Sequence, residues 1–184
     1  VIDKFTQATI NVFVRKYSST GGLLWEQVGT APGSITRFSA LGLDTDQNVY
    51  AGGGFFGTLT FGSTVFTSTW SNSAFMVKFD ASGTLVDTTS TGSLDKFNGI
   101  EVFDDLIYVC AEKVNWNLGW GWPLADAKIH VLKLDADLNT IWQHETGGEE
   151  TAQSLDNARS LSVDTEENIY VTGSYFSDTL FFAD

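Results

Sequence analysis

The sequence predicts an all-β protein in which three similar sheet units follow one another along the chain. Two short motifs alternate, and each occurs three times at intervals of about 60 residues. The 18 glycines fall mostly at the ends of apolar segments and there are only two prolines, a pattern typical of many short strands joined by turns. No segment keeps an apolar period of 3.6 residues, so we expect almost no helix.

The first motif predicts a hairpin at the start of each repeat. It contains Lys16, Lys78 and Lys133, which lie 62 and 55 residues apart. We expect these lysines to be equivalent, with their stems along the sheet edge rather than beside a buried acid. In the turn that follows, Gly83 supplies the positive φ that a hairpin needs, and in the third copy we expect Asn139 to serve instead.

The second motif predicts another hairpin. It contains Tyr50, Tyr108 and Tyr170, which lie 58 and 62 residues apart. Its turn is rich in Asp, Asn and Thr at residues 44–48 and 164–168, and it shortens to two aspartates in the middle copy. We expect the strands to bury the repeated aromatic residues Phe13, Tyr17, Trp25, Tyr50, Phe75, Tyr108, Trp142 and Tyr170.

Two hairpins per repeat make four strands in about 60 residues, which is what one β-propeller blade needs when a long connecting loop is included. The expected fold is therefore an all-β propeller segment of three four-stranded blades that spans residues 1–184. The repeats fall at about 11–72, 73–126 and 127–184, and residues 1–10 complete a connector.

The paired motifs resemble those of the bacterial β-propeller repeat family SBBP. Residues 13–25 read Phe-Val-x-Lys-Tyr-x-x-x-Gly-x-Leu-x-Trp, and residues 42–53 read Gly-x-Asp-x-x-x-Asn-Val-Tyr-x-x-Gly. The middle copy departs most, because Asp87 replaces the tryptophan and residues 110–112 replace the closing glycine segment. The resemblance implies a propeller from a large secreted or surface-attached protein, with a binding or scaffolding role and no catalytic residues.

The three predicted blades are too few to form a typical closed ring. Three blades are fewer than the roughly four to eight of typical propellers, and the outer blades of an open arc would expose apolar faces. Residues 178–182 match residues 57–61, and residues 5–11 look like the end of the same connector. We therefore expect either an excerpt of a longer propeller, which we favour, or two copies that form a six-bladed ring.

The composition limits the classes of partner that the chain is expected to bind. A net charge of −13 excludes a basic surface for nucleic acid and disfavours docking on anionic lipid. No apolar segment approaches about 18 residues, so we expect no membrane insertion. Cys110 is the single cysteine and lies in an apolar segment, which indicates a small buried residue rather than a disulfide.

One segment suggests a binding site. Trp116, Trp120 and Trp122 lie within seven residues of one another, beside Asn115 and Asn117. Indole faces next to amides suit sugar rings, and tryptophan is prominent in protein–protein hot spots. The alternative, which we weight more heavily, is that these rings pack on the propeller itself, because the matching segment of the first repeat is also aromatic.

Calcium is a second possibility. The candidate oxygen ligands are Asp44, Asp46, Asn48, Asp164, Glu166 and Asn168. Their spacing matches the start of an EF-hand loop, but no glycine follows at the sixth position and no glutamate at the twelfth. We favour the interpretation that these residues only build hairpin turns, and we expect no other cofactor.

The sequence carries no catalytic motif. His130 and His144 are the two histidines, and His130 occupies the position of Phe13 and Phe75 in the other copies. We therefore expect a non-catalytic module, extracellular or at the cell surface, that binds a protein or a glycan. A purely structural part of a surface assembly or filament is the alternative, and a propeller-based hydrolase is the second alternative.

Overall fold

The computed structural model describes residues 10–117, 124–147 and 156–175. Within these ranges the chain forms strands and turns, with no helix, and hence none long and apolar enough to cross a membrane. The strands are β1 (Val12–Tyr17), β2 (Leu23–Gly29), β3 (Ile35–Leu43), β4 (Val49–Phe61), β5 (Thr64–Phe79), β6 (Leu85–Thr91), β7 (Lys96–Phe103), β8 (Leu106–Asn117), β9 (Leu124–Leu134), β10 (Thr140–Thr146), β11 (Asn157–Val163) and β12 (Ile169–Ser174). The predicted all-β class is confirmed.

The described strands form four antiparallel sheets. Strands β3 to β6 make a four-stranded meander, and β7 to β10 make a second one. At either end lies a two-stranded sheet, β1–β2 before the first meander and β11–β12 after the second. None of these sheets closes on itself.

The sheets and the sequence repeats differ in phase. Each four-stranded sheet takes its first hairpin from one repeat and its second hairpin from the next. In the first sheet, β4 pairs with β5 from Val49↔Phe79 to Phe61↔Thr64, across the boundary expected near residue 73. A repeat that begins at the lysine motif therefore contains the second half of one four-stranded sheet and the first half of the next.

The hairpin turns follow from local chemistry. The residues with positive φ in the five-residue turns are Gly21, Gln47, Gly83, Leu138 and Glu167. Each donates its backbone N–H to the carbonyl of the first turn residue, over 2.9 to 3.1 Å. Gly83, with φ 88°, confirms its predicted role. The two-residue turn of the middle copy has φ 52° at Asp104 and 60° at Asp105, as a type I′ turn requires.

The third copy differs from the expectation in its turn. The positive φ of 62° falls on Leu138 and not on Asn139. The Leu138 side chain is buried in the apolar core between the two four-stranded sheets, so packing stabilises a backbone conformation that leucine disfavours. Asn139 instead bonds the carboxylate of Asp135 through its backbone and side chain.

The sheets pack face to face in series, with one apolar core at each contact. The core between β1–β2 and the first four-stranded sheet contains Phe75 with Val12 and Val14. The core between the two four-stranded sheets contains Tyr50. The core against β11–β12 contains Tyr108. Each four-stranded sheet thus buries one face against the preceding unit and the other against the following unit.

The expectation that all repeated aromatics are buried is wrong at the two ends of this series. Tyr50, Phe75 and Tyr108 are buried, and Trp25 and Trp142 are half-buried. Phe13 and Tyr17 on β1 and Tyr170 on β12 are exposed. The register within the four-stranded sheets is as predicted, so the exposure arises because no described residue covers the outer faces of the terminal sheets.

Candidate functional site

Along the chain, the tryptophan segment runs from the end of β8 to the start of β9. The backbone of Asn115, Trp116 and Asn117 belongs to β8 and pairs with the start of β9, where Trp116 is opposite Ala125. The side chains of these three residues, and Trp120 and Trp122 entirely, lie outside the described part of the structure. The structure describes the paired strand residues that carry this segment, 113–117 of β8 and 124–128 of β9, and we call them the tryptophan arm.

This arm extends beyond its own sheet. Strand β7 pairs with β8 only as far as Lys96↔Glu112, and β10 pairs with β9 only as far as Thr146↔Ile129. From Lys113 onwards the hairpin continues as a two-stranded ribbon without described sheet neighbours. A two-stranded ribbon of this kind can present side chains on both faces.

The equivalent arm of the first sheet packs onto the apolar core. Leu59, Phe61 and Phe66 on the β4–β5 hairpin are buried in the core beside β1–β2. An isolated β-bridge between Thr60 of this arm and Thr30, the residue after β2, stabilises this packing. The burial of these aromatic residues shows that aromatic positions of an arm can have a packing role, as the sequence alternative proposed.

A small cleft lies at the base of the tryptophan arm, between the two four-stranded sheets. Its volume is about 180 Å³. Arg37 and Asn72 line it from the first sheet, and Lys96 and Glu112 line it from the second. The Lys96 ammonium lies 3.2 Å from the Glu112 carboxylate. The cleft therefore presents charges of both signs next to the arm.

Asp95, which the sequence analysis missed, fixes the base of the arm. It is buried, accepts the backbone N–H of Val114 at 2.7 Å and pairs with the Lys113 ammonium at 3.0 Å. Ser34 has the same position before the first sheet and accepts the N–H of Thr58 at 2.9 Å. The signal was available as a Ser or Asp immediately before β3, β7 and β11, where the third member is Asp156.

The candidate calcium ligands lie at the opposite end of the sheets, in the turns. Both oxygens of Asp44 accept hydrogen bonds, from the backbone and side chain of Asn48 and from the Tyr50 hydroxyl. Burial opposes ionisation of Asp44, but these hydrogen bonds outweigh it and hold its pKa below the usual value. A calcium ion at Asp44 would have to displace these bonds.

The second turn has the same geometry. Asp164 accepts from Asn168 and from the Tyr170 hydroxyl at 3.0 Å, and the side-chain bond from Asn168 lowers its pKa most. Asp46 and Glu166 contribute no side-chain bond to either carboxylate in this network, although the Glu166 N–H donates to Asp164. Within the described ranges no three His, Cys, Asp or Glu side chains are grouped to hold a metal.

The repeated lysines join consecutive sheets. Lys16 donates to the Ala81 carbonyl at 3.1 Å, and Lys78 donates to the equivalent Ala136 carbonyl at 3.2 Å. The Lys78 ammonium also lies over the Tyr50 ring, 5.1 Å from its centroid. Lys16 and Lys78 therefore make equivalent contacts, as expected.

The third lysine has an acidic partner, but this partner is exposed and is not the buried acid that the sequence analysis considered as the alternative. Lys133 pairs with the Glu167 carboxylate at 2.7 Å and lies 5.2 Å from the Tyr108 ring centroid. Tyr108 donates to the same carboxylate at 2.9 Å. Hydrogen bonds from Lys133 and then from Tyr108 hold the pKa of Glu167 below its usual value. Since Glu167 belongs to the following sheet, this pair also joins neighbouring units.

Two residues with potential chemical reactivity are buried. Burial raises the pKa of the Cys110 thiol to about 11, so little thiolate forms near neutral pH. His130 is buried, and its Nδ1 accepts from the Gln143 amide at 2.9 Å. Its Nε2 lies 3.7 Å from the Glu145 carboxylate. Neither arrangement activates a nucleophile.

The burial of His130 predicts a pH dependence of stability. Desolvation lowers its pKa below 6.5; the nearby Lys113 acts in the same direction, while Glu145 opposes it. Because the unfolded chain takes up this proton at a higher pH than the folded chain, the contribution is present above about pH 6.5 and is lost as the pH falls. We expect the urea midpoint to drop between about pH 7.5 and 5.5.

His130→Phe, which restores the residue type of the other two copies, should flatten this slope. His144→Gln is the matched control at an exposed histidine and should keep the slope of the parent. Equal slopes for the parent and His130→Phe would show that other groups set the pH dependence. Urea unfolding followed by circular dichroism at each pH provides the measurement.

Comparison with known proteins supports the fold assignment. Residues 141–174, from β10 through the β11–β12 hairpin, match the family model described as SBBP, beta-propeller repeat. No curated protein matches the chain significantly. This match confirms the resemblance drawn from the motifs: residues 141–174 are similar to an SBBP β-propeller repeat, within an all-β chain.

Proposed function

We propose that the chain is a non-catalytic β-propeller module that binds a protein or a glycan outside the cell or at its surface. The observation that carries this proposal is the β8–β9 arm, whose backbone projects past its sheet neighbours from Lys113 and leads into the tryptophan segment. Side chains on such a ribbon reach a partner without rearrangement of the sheets.

The chemistry of the segment supports a flat, partly apolar partner. Tryptophan offers a large rigid face at low conformational cost, and the adjacent asparagines offer amide donors and acceptors. The cleft at the arm base adds Arg37, Lys96 and Glu112 for polar edges. A sugar ring combines an apolar face with polar edges, and protein hot spots combine the same features.

The proposed absence of catalysis is supported by the buried positions of His130 and Cys110. The described hydrogen bonds of His130 involve no serine, threonine or cysteine. A propeller-based hydrolase would need a nucleophile next to a base, or a suitably spaced carboxylate pair, in an accessible cleft.

We also propose that the propeller ring is completed by further blades, supplied by a longer chain or by a second copy. The twelve described strands form two four-stranded and two two-stranded sheets, which is enough strands for three four-stranded blades. A closed ring typically has about four to eight blades.

Binding can be tested with insoluble cellulose, insoluble chitin and immobilised mucin as probes. We expect saturable binding to at least one of them, weakened at least about ten-fold by Trp120→Ala because one hot-spot aromatic is typically worth more than 1.4 kcal/mol. Val65→Ala is the matched control, since Val65 is an exposed apolar residue at the tip of the other arm. Circular dichroism checks that each variant is folded.

Binding that survives Trp120→Ala, Trp116→Ala and Trp122→Ala would place the site elsewhere. If the chain binds none of the three probes, the glycan form of the proposal is contradicted. A purely structural role in a surface assembly is the second candidate, favoured by the burial of Phe61 and Phe66 on the equivalent arm. In that case Trp120→Ala should change the assembly or the stability and leave binding unaffected.

A further inference from the structure

The cleft between the two four-stranded sheets contains an arginine without a protein partner. Arg37 of β3 lines this cleft and is exposed. Among the described residues its guanidinium makes no hydrogen bond or ion pair. The chain has 23 acidic and only 10 basic residues, so an unpaired cation is unexpected at a place where carboxylates are close by. The cleft therefore offers a positive group that no side chain uses.

The second four-stranded sheet shows which partner this position takes. Lys96 on β7 is equivalent to Arg37 on β3, because each precedes the phenylalanine at which the strand pairing shifts register. Lys96 lies opposite Glu112 on β8, and its ammonium pairs with that carboxylate at 3.2 Å. Arg37 lies opposite Gly54 on β4, which has no side chain. The first sheet thus has the cation of this pair and lacks the carboxylate.

Packing between the sheets keeps a side chain out of position 54. A Cβ on Gly54 would lie 2.4 Å from the Asp95 carbonyl oxygen and 3.1 Å from the Lys96 Cβ, and both atoms belong to the second unit. The sheets would have to separate to admit any larger residue. The missing carboxylate cannot come from residue 54, but a ligand in the cleft can supply it.

The acidic residues of the cleft are already neutralised. Glu112 pairs with Lys96 through one oxygen and accepts the Asn98 amide at 3.0 Å through the other. Asp95 pairs with Lys113 at 3.0 Å. The remaining guanidinium gives the cleft one net positive charge, within a chain whose net charge is −13. A local positive charge of this kind favours an anionic group.

The size and chemistry of the cleft limit which anion fits. Its volume of about 180 Å³ is below the roughly 300–1,000 Å³ of a site that encloses a drug-sized molecule, so it accepts one end group of a ligand. A guanidinium binds a carboxylate through two parallel hydrogen bonds, which an ammonium cannot do. Arg37 is therefore suited to a carboxylate on the end of a larger ligand.

The other lining residues suit a sugar ring next to that carboxylate. Ile35 of the first sheet and Val114 of the second contribute apolar contacts. Asn72 contributes an amide that makes no hydrogen bond with a described residue and can both donate and accept. Val114 belongs to the tryptophan arm, so a ligand in the cleft lies beside that arm. A ring with an apolar C–H face, hydroxyl edges and one carboxylate matches these groups.

We propose that the cleft binds the carboxylate of an acidic sugar, a uronic acid residue of a glycan, with Arg37 as its two-bond partner. Asn72 bonds the ring hydroxyl groups. Because the chain carries a net charge of −13, we expect a glycan with isolated acidic units and not a dense polyanion. This inference rests on the glycan form of the proposed function and adds the class of sugar and the residue that selects it.

The test compares D-glucuronate with D-glucose, which has a hydroxymethyl group in place of the carboxylate. Each sugar is titrated into the ¹⁵N-labelled chain at neutral pH and low salt, and the dissociation constants are measured by nuclear magnetic resonance. We expect glucuronate to bind at least about ten-fold more tightly than glucose. Glucuronamide, which is neutral, should bind like glucose. Arg37→Gln should reduce the preference for glucuronate to about two-fold or less.

Arg159→Gln is the matched control. Arg159 is an exposed arginine on β11 that does not line the cleft, so its replacement changes the net charge equally. We expect this variant to keep the preference of the parent. No preference in the parent, the same preference in Arg37→Gln, or an equal loss in both variants would overturn the proposal. Circular dichroism checks that both variants are folded.

Glu112→Gln provides a second test, because it should improve binding. It removes the carboxylate that pairs with Lys96 and so leaves a second cation for the ligand. We expect glucuronate to bind at least about two-fold more tightly than to the parent. An affinity equal to or below that of the parent would overturn the placement of the ligand between Arg37 and Lys96.

The outcomes separate this inference from the proposed function. If the insoluble probes bind through the tryptophan segment while glucuronate and glucose bind equally, the proposed function stands and the acidic sugar is wrong. N-acetylaspartate amide represents the other common source of a carboxylate, an acidic peptide. Tighter binding of this compound than of glucuronate would overturn the assignment to a sugar.

Discussion

Replacing Phe75 with alanine should lower the free energy of unfolding by about 4 kcal/mol. Phe75 is fully buried, and its ring lies 5.3 to 6.4 Å from the rings of Phe38, Phe55, Phe61 and Phe66. Alanine would lose the transfer free energy of the ring and leave a cavity that these four neighbours cannot fill without leaving their own positions. Urea unfolding followed by circular dichroism measures the loss.

Phe56→Ala is the matched control for this change. Phe56 follows Phe55 on β4 of the same sheet, but its side chain points to the opposite face and is exposed. We expect a loss of about 1 kcal/mol or less there. Equal losses at positions 56 and 75 would mean that the aromatic cluster does not form the core between β1–β2 and the first four-stranded sheet.

Gly53→Ala should destabilise the first sheet by about 3 kcal/mol, because no space exists for a methyl group. A Cβ at position 53 would lie 1.8 Å from the Arg37 carbonyl oxygen of β3, and that atom belongs to backbone. The pair Phe38↔Gly53 lies beside an irregularity in the β3–β4 pairing, where β3 approaches β4 closely. Urea unfolding again gives the change.

Gly92→Ala is the control, since the nearest atom to a Cβ there is the Ser73 hydroxyl at 3.7 Å. We expect no loss at position 92, and a gain of up to about 1 kcal/mol from the lower entropy of the unfolded chain. Gly173→Ala, with its Cβ 2.2 Å from the Asn157 carbonyl, should behave like Gly53→Ala. A stability of Gly53→Ala equal to that of the parent would show that β3 can shift away from a methyl group at this position.

Much of the fold could be predicted because its determinants are local. Gly83 and the aspartate pair 104–105 set hairpin turns through backbone conformations that few residues adopt. The alternation of apolar residues sets the faces of each strand, and the repeated motifs set the number of hairpins. The position of the positive φ in the third turn was not predictable, because the packing of Leu138 against a distant sheet decides it.

The candidate site could be predicted only in part. The tryptophan segment stood out by composition, but that β8 and β9 continue past their neighbours follows from where β7 and β10 stop pairing. Asp95 carried no recognisable motif by itself. Its role at the base of the arm depends on Lys113 and Val114, which are 18 and 19 residues away in the chain and adjacent in space.

The sequence by itself determined the all-β class, the two hairpins of each repeat and the chemistry of their turns, since each depends on residues within a few positions of one another. Only the tertiary structure decided how these hairpins combine. Strand β4 pairs with β5 across a repeat boundary, so each blade joins two repeats, and Phe13 and Tyr170 lack the cover that Phe75 and Tyr108 receive. Pairing and burial of this kind arise between residues distant in the chain, which is why a repeat pattern alone could not place them.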